Sequence, residues 1–588
     1  MGAPFGKILV ANRGEIAIRV MRTAKELGCA TVAVYSDADR DALHVRYADE
    51  AYHLGAAAPA QSYLNVEKLL EVCARTGADA VHPGYGFFAE NAAFARRIIA
   101  AGMTWIGPHP DAIDAMGDKV RSRQAMVAAG VPVVPGGTEA IPDAEAARAA
   151  GERYGYPLAL KASGGGGGKG LKIARSADEV ATAFSTAQRE AQAYFGNPMI
   201  YAERYLENPK HVELQILADK HGTVLHVGER DCSLQRRHQK LWEEAPARIP
   251  SIVRHGMRAA GIAAAEAIAY DSVGTIECLV SGNEFYFLEM NTRIQVEHTV
   301  SEEISGIDLV REQILVAAGE PLRFSQDDVV LRGHAIEIRV NAEDPAQGFR
   351  PAPGTLAQYR EPGGFGVRVD SAAAPGSTIT PDYDSMIAKL IVRGRDRDEA
   401  LARLGRAIDE YVITGVPTTL PLARALIDHP PVRDATYGTA TLEAFAAAMT
   451  LPGAAPPDAR DGAAAAVQDE ALRVEVDGRL FRVRFVDLPL PAGTPAPGAL
   501  RPAVPKKGGS PKKAASAAGN DVVSPMHGVV VDLPIASGAS VAEGDVVAVI
   551  EAMKMMNEIR AHKAGTVSAV HVSAGTTVEA RTALLTLA

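Results

Sequence analysis

Cysteine is scarce in this chain. The four present in 588 residues (Cys29, Cys73, Cys232 and Cys278) are widely spaced and form no CxxC pair. This excludes a disulfide framework or a cysteine-rich zinc site and points to reduced thiols. A basic surplus is also missing: 71 Asp and Glu outnumber 61 Lys and Arg, for a formal net charge of −10. Nothing is left over to neutralise nucleic-acid phosphates. No uncharged apolar run approaches the ~20 residues that span a bilayer. Near the N-terminus, Lys7 and the apolar residues 8–10 are soon followed by Arg13 and Glu15, which is not the long core of a signal peptide. These absences predict a cytoplasmic protein with neither a nucleic-acid nor a membrane partner. Apolar residues, by contrast, make up 47% of the chain and charged ones 22%, as in globular proteins, and the length allows several domains.

The apolar pattern places strands at 7–11, 31–35 and Ala80–His82, alternating with helix-period segments at 14–28 and Val66–Thr76. Such alternation predicts an open, mostly parallel α/β sheet with ligands at the loops after its strands, here 12–15 and 82–87. The pattern is helical around 117–130, and 131–201 reads as a small α+β unit. From 203 to 445 strand patterns dominate, with helices expected at 256–270 and 398–411. Residues 451–466 are rich in Ala, Pro and Gly, and 491–521 in Pro, Ala, Gly and Lys. The second of these cannot bury enough surface to offset its ordering entropy, so a tether with a root-mean-square span of roughly 30 Å is expected. Between the two, 472–486 alternates about Asp477-Gly478, a hairpin signal.

Residues 158–163 lead into five glycines (Gly164, Gly165, Gly166, Gly167, Gly168), then Lys169-Gly170-Leu171-Lys172. With strand patterns on both sides, this is a hairpin loop whose backbone N–H groups can approach phosphate oxygens. It is not a Walker A loop, because no Ser or Thr follows Lys169 and no helix begins there. It resembles the lid of the ATP-grasp fold. Downstream, Glu277 lies on a strand pattern, and Glu289 and Asn291 alternate onto one face of 285–291. Three hard oxygen ligands on neighbouring strands suit Mg²⁺. Paired surface carboxylates are the plainer reading, which so apolar a strand disfavours.

Near the C-terminus, Glu551-Ala552-Met553-Lys554-Met555-Met556 holds a lysine between methionines, within a repeat. Gly528, Gly538 and Val541 recur thirty-seven residues on as Gly565, Gly575 and Val578. Two such copies pair into a small flattened barrel with Lys554 in the hairpin between them. The stretch resembles the biotin carrier domain of biotin-dependent carboxylases. The lipoyl domain is its rival, but usually lacks methionines beside its lysine.

Residues 5–446 resemble the biotin carboxylase component of the same enzymes. The matches include 11–17 (ANRGEIA), 82–87 (HPGYGF), 161–168, 229–233 (ERDCS), 235–240 (QRRHQK), 289–298 (EMNTRIQVEH) and 339–345 (RVNAEDP). Phe88-Ala89 departs from the Leu-Ser often found there, a packing change. The resemblance implies a doubly wound N-terminal domain (1–117), an ATP-grasp domain (118–318, lid about 131–202), a C-terminal carboxylase domain (319–446), a linker (447–521) and an all-β biotinyl barrel (522–588). It implies that bicarbonate attacks ATP to give carboxyphosphate, whose CO₂ is captured by biotin on Lys554. Glu297 would be the base. Lys240, Arg293, Gln295 and the Val296 backbone would hold bicarbonate, and Arg339 would stabilise the biotin enolate. Lys119, Lys161, Gly166, Gly167, Gly168, Glu203, Leu206, His211, Gln235 and His238 would bind nucleotide. Glu277, Glu289 and Asn291 would carry Mg²⁺ or Mn²⁺, two ions in all. Arg236, Arg237, Cys232 and His298 are read as structural. The 75 residues of 447–521 are too few for a carboxyltransferase, so the resemblance implies an α-subunit of an acetyl- or propionyl-CoA carboxylase. Its partners would be a separate carboxyltransferase β-subunit, which the 472–486 hairpin could help dock, and a biotin protein ligase, in a homo-oligomer within a larger complex. The alternatives are the α-part of a 3-methylcrotonyl-CoA, longer acyl-CoA or pyruvate carboxylase, or a carrier whose ATP-grasp unit is inactive.

Overall fold

The computed structural model describes the chain apart from residues 1, 138, 163–170, 196, 238, 450–471, 477–478, 484–519, 527, 553–554 and 580. The side chains of 119–120, 193–195, 472–476, 479–483 and 555 are likewise outside the description. The chain forms two compact units, one holding the elements up to residue 448 and the other the C-terminal barrel.

In the first unit, short apolar runs form parallel strands β1 (Lys7–Val10), β2 (Ala30–Ser36), β3 (Glu50–Gly55), β4 (Ala80–His82) and β5 (Thr104–Trp105), in the order β3-β2-β1-β4-β5. Ile8, Leu9 and Val10 are wholly buried between helical layers, so the run is apolar on both faces. The Val66–Thr76 helix starts where the Asn65 side chain accepts the Lys68 N–H, and ends at Gly77, in the left-handed conformation at φ +64°. The two loops expected to face a ligand are tied to each other. Asn12 Nδ2 donates to the carbonyls of Pro83 (2.7 Å) and Tyr85 (2.8 Å), and the Tyr85 hydroxyl donates to Glu15. Phe88 stacks on Phe94, with ring centres 4.3 Å apart, so the Phe-Ala departure fills core space.

Strands β6 (Leu158–Ala162), β7 (Leu171–Ala174) and β8 (Ile200–Arg204) form a small antiparallel sheet in the order β7-β6-β8. Its core is shared with the helices Ala144–Tyr154 and Val180–Phe195. The main sheet is antiparallel with eight strands. It contains β9 (Lys210–Ala218), β10 (Val224–Arg236), β11 (Gln239–Ala245), β12 (Ser272–Ser281), β13 (Glu284–Asn291) and β14 (His334–Asn341). The order is β13-β12-β9-β10-β11-β14, then Met386–Gly394 and Val367–Ser371.

Strands thus dominate 203–445 as expected, but helices outside the expectation intervene at His298–Ser305, Leu309–Ala317, Leu420–Leu426 and Thr441–Ala448. The helix expected at 256–270 runs from Ser251 to Ala267. The reason is burial on several sides. His298, Thr299, Ser301 and Glu302 are buried although polar, so only Val300 and Ile304 remain as apolar residues, too few to mark a 3.6-residue period. Among the described residues, no helix is long and apolar enough to cross a membrane.

The second unit contains two four-stranded sheets around a core of Val530, Val541, Val547, Ile550, Val567, Val578 and Leu585. The repeat explains its symmetry: Gly528–Asp532 pairs with Thr577–Val578, and its counterpart Gly565–Val570 pairs with Ser540–Val541. Gly538 and Gly575 occupy equivalent left-handed turns at φ +88° and +85°. Strands Val546–Ala552 and Met555–Arg560 pair with Ala552 opposite Met555; Lys554, between them, lies outside the described residues. Strands Leu472–Val476 and Arg479–Val483 also pair, with Val476 opposite Arg479.

Candidate active site

Strand register builds the site. Across the main sheet, Glu289 on β13 stands opposite Glu277 on β12, Glu277 opposite Glu213 on β9, and Glu213 opposite Arg230 on β10. Period-two alternation puts His211, Glu213 and Gln215 on one face of β9. Across β10 and β11, Gln235 is opposite Lys240. Five strands, β9 to β13, thereby bring one row of acids and bases together.

Lys240 is the centre of the row. Its Nζ lies 2.7 Å from Glu297 and 3.0 Å from Glu277 and also donates to Glu213. Arg339 Nη2 lies 2.9 Å from the other Glu297 oxygen, while its Nε donates to Glu243 at 2.7 Å. Burial works to raise the Glu297 carboxyl, but Lys240 and then Arg339 outweigh it and hold the group below the usual range. Glu213 is pulled down to about 2 against its burial, first by Lys240 and then by His211 and Arg230. His211 Nε2 lies 3.0 Å from Glu277 and 3.3 Å from Glu213, close enough for charge attraction without an aligned hydrogen bond. Its pKa rises to about 9: burial opposes the charge, but Glu277 and Glu213 prevail.

Arg293 lies at the rim, donating to Glu90 (2.9 Å) and Asn291 (2.6 Å). Gln295 donates to Glu277 (2.9 Å) and accepts from the fully buried Arg230. The Val296 carbonyl accepts from Lys389 Nζ at 2.9 Å, which anchors the backbone that carries Gln295 and Glu297. Lys161 on β6 pairs with Glu203 on β8, and Leu206 packs with Val134 and Tyr286. Glu289 is exposed, whereas Glu277 and Asn291 are buried. Gly166, Gly167, Gly168 and His238, and the Lys119 side chain, lie outside the described residues.

Among residues read as structural, Arg236 rests over the Phe349 ring at 4.4 Å, and His298 is wholly buried with Nδ1 2.7 Å from the Gln295 carbonyl oxygen. Cys232 is buried beside the row, and burial pushes its thiol far up, so it holds its proton. Sequence reading missed Glu213, Arg230, Glu90 and Lys389. The first shares the alternation of His211 on β9, a detectable signal. Lys389 sits in an apolar strand whose pattern reveals nothing of the charges stacked around it.

The donor set fits a divalent cation. Glu277 and Glu289 are opposed hard-oxygen donors, the second of them exposed to solvent.

Four family descriptions match the chain. They are "Biotin carboxylase, N-terminal domain" over residues 4–113, "Carbamoyl-phosphate synthase L chain, ATP binding domain" over 118–325, "Biotin carboxylase C-terminal domain" over 337–444 and "Biotin-requiring enzyme" over 520–587. The biotin-dependent acyl-coenzyme A carboxylase alpha3 subunit of Mycobacterium leprae is 43% identical over 599 residues, covering 99% of this chain and 98% of that one. A pyruvate carboxylase subunit of Methanothermobacter thermautotrophicus is 53% identical over 424 residues, 72% of this chain and 86% of that one. The biotin carboxylase domain of Hydrogenobacter thermophilus 2-oxoglutarate carboxylase, solved with MgADP, ADP and bicarbonate, superposes with a TM-score of 0.69 at 49% identity, over 75% of this chain and 97% of that one.

Proposed function

Since the chain belongs to the biotin-dependent carboxylases, as an α-subunit joining an ATP-dependent biotin carboxylase to a biotin-requiring domain, we propose that it carboxylates the biotin carried on its own Lys554 and serves a separate carboxyltransferase that carboxylates acetyl- or propionyl-CoA. The observation that carries the reading is the Glu297 carboxylate clamped between Lys240 and Arg339. A carboxylate held below its usual range is a weak base, so strength of the base does not drive proton removal from bicarbonate. Lys240 and Arg293 drive it instead, by lowering the energy of the doubly charged anion that forms. Gln295 and the Val296 N–H orient that anion, and Lys389 holds their backbone in place. Arg339, with Nε held by Glu243 and Nη2 by Glu297, presents the remainder of its guanidinium to the charge that develops on the biotin ureido group. Lys119, Lys161, Glu203, Leu206, His211, Gln235 and His238, with the glycines of 166–168, bind the nucleotide. Glu277, Glu289 and Asn291 hold Mg²⁺ or Mn²⁺, which supplies countercharge to the phosphates. Biotin supplies the ureido nitrogen that accepts the carboxyl group, and a biotin protein ligase attaches it.

We place the domain limits at 1–117, 118–318, 319–446 and 522–588. The acyl-CoA assignment is supported by likeness to the mycobacterial acyl-CoA carboxylase over 99% of this chain, carrier included, whereas the pyruvate carboxylase likeness spans 72%. The test is avidin capture from the native source followed by carboxylation of acetyl-, propionyl- and longer acyl-CoAs and pyruvate. A co-purifying carboxyltransferase preferring a short acyl-CoA is the expected result, and preference for pyruvate overturns the substrate assignment.

A further inference from the structure

We propose that Glu243 and Glu337 hold one proton between two facing carboxylate oxygens, and that this shared proton positions Arg339. The two residues are directly opposite in the antiparallel pairing of β11 with β14, which puts their Cβ atoms about 5 Å apart on one face. Both side chains are wholly buried. Each uses one oxygen: Glu243 Oε1 accepts from Arg339 Nε at 2.7 Å, and Glu337 Oε2 accepts from the Thr299 hydroxyl. Glu243 Oε2 and Glu337 Oε1 have no hydrogen-bond partner among the described residues. Two unpartnered buried oxygens on opposed carboxyls are costly when both groups are ionised, and one proton placed between them satisfies both.

The surrounding charges are already committed. From its own strand, Arg339 divides between Glu243 and Glu297. From β11, Lys240 serves Glu213, Glu277 and Glu297. From Met386–Gly394, the buried Lys389 donates to the Val296 carbonyl and lies 3.4 Å from Glu15 and 3.8 Å from Asp370, the latter also paired with Arg368. From the helix at 298–305, Thr299 is a neutral donor and burial keeps His298 uncharged. Burial pushes Glu337 far up, the Lys389 charge opposing it and the Glu243 carboxylate adding to it; burial likewise raises Glu243 to about 7, against Arg339 and with Glu297. The remaining charge then sits on Glu243 against Arg339 Nε. Loss of the proton at alkaline pH puts a second negative charge beneath the guanidinium and draws it inward, away from the substrate side.

This positioning role rests on the reading that Arg339 faces biotin; the proton itself does not. The experiment therefore has two readouts on the full-length protein. Infrared difference spectra of wild type against E337Q at neutral pH should show the carbonyl stretch of a buried, protonated carboxylic acid in wild type alone, fading as pH rises. In assays with free biotin, wild type should show KM for biotin rising on the alkaline side. E337Q, whose amide can donate to Glu243, should lack that rise, and E337L should raise KM about tenfold throughout, the size of one lost hydrogen bond. Absence of the protonated band overturns the proposal whatever Arg339 does. A band that is present while E337L leaves KM for biotin unmoved overturns the positioning role, and R339Q measured alongside shows whether the reading of Arg339 has failed with it.

Discussion

At the scale of single residues, what matters is that ionised groups are buried only in company. Arg230 is fully buried because Glu213, Gln215, Thr275, Gln295 and Ser301 all accept from it. Glu297 is buried because Lys240 and Arg339 flank it. Substituting Glu297→Gln keeps the shape and removes the proton acceptor. Bicarbonate-dependent ATP hydrolysis should fall by about 10² to 10⁴, the usual worth of a general base. Nucleotide affinity, followed by fluorescence titration, should stay within about twofold. Retained turnover would remove Glu297 from the role of base.

Elements take their shape from pattern and from the few positions where only glycine fits. The carrier shows this twice over. A Cβ on Gly528 would lie 2.4 Å from the Glu551 carbonyl oxygen, and one on Gly565 would lie 2.7 Å from that of Ala588, so the repeat preserves a close backbone approach in both halves. Gly565→Ala should therefore destabilise the barrel by about 1–3 kcal/mol, seen as a lower calorimetric transition for the carrier with the carboxylase transition unmoved. In the main sheet, the decisive property is register. Slipping β12 by one residue against β9 would turn Glu277 to the opposite face and remove it from Lys240.

Across the whole molecule, stability and function depend on contacts between segments 90 or more residues apart. Glu244 on β11 lies 2.8 Å from both His334 and Arg397, with the Tyr437 hydroxyl on its other oxygen. Burial works against its charge, but His334 and Arg397 hold it far below its ordinary 4.5. A carboxyl whose folded pKa is depressed stabilises the protein above its unfolded value and loses that contribution as pH falls through the folded one. Stability should thus decline below about pH 4.5. Glu244→Gln should flatten that decline while costing about 3–5 kcal/mol at neutral pH, measured by thermal melts across the acid range. At the same scale, Lys554→Arg should abolish carboxylation of the chain's own carrier and spare that of free biotin. Loss of both would show that the two activities are not separable.

Much of this architecture was legible in the residue pattern. Period-two and helix-period runs announced the parallel sheet, the hairpin around the glycine loop and the repeated barrel, because each is a local consequence of alternating burial. The motifs carrying Lys240, Arg293, Glu297 and Arg339 were likewise readable as short strings. The helices at 298–317 were not, since polar residues such as His298, Glu302 and Gln313 stand at buried positions and blur the period that marks a helix. Nor could any string reveal that Glu213 joins Lys240, that Lys389 supports Val296, or that Glu243 faces Glu337. The order of residues was enough to set most of the elements, the family and the chemical types at hand. Which charges meet was settled only on folding, because strand register and the shared burial of distant segments set the distances on which electrostatic energies depend.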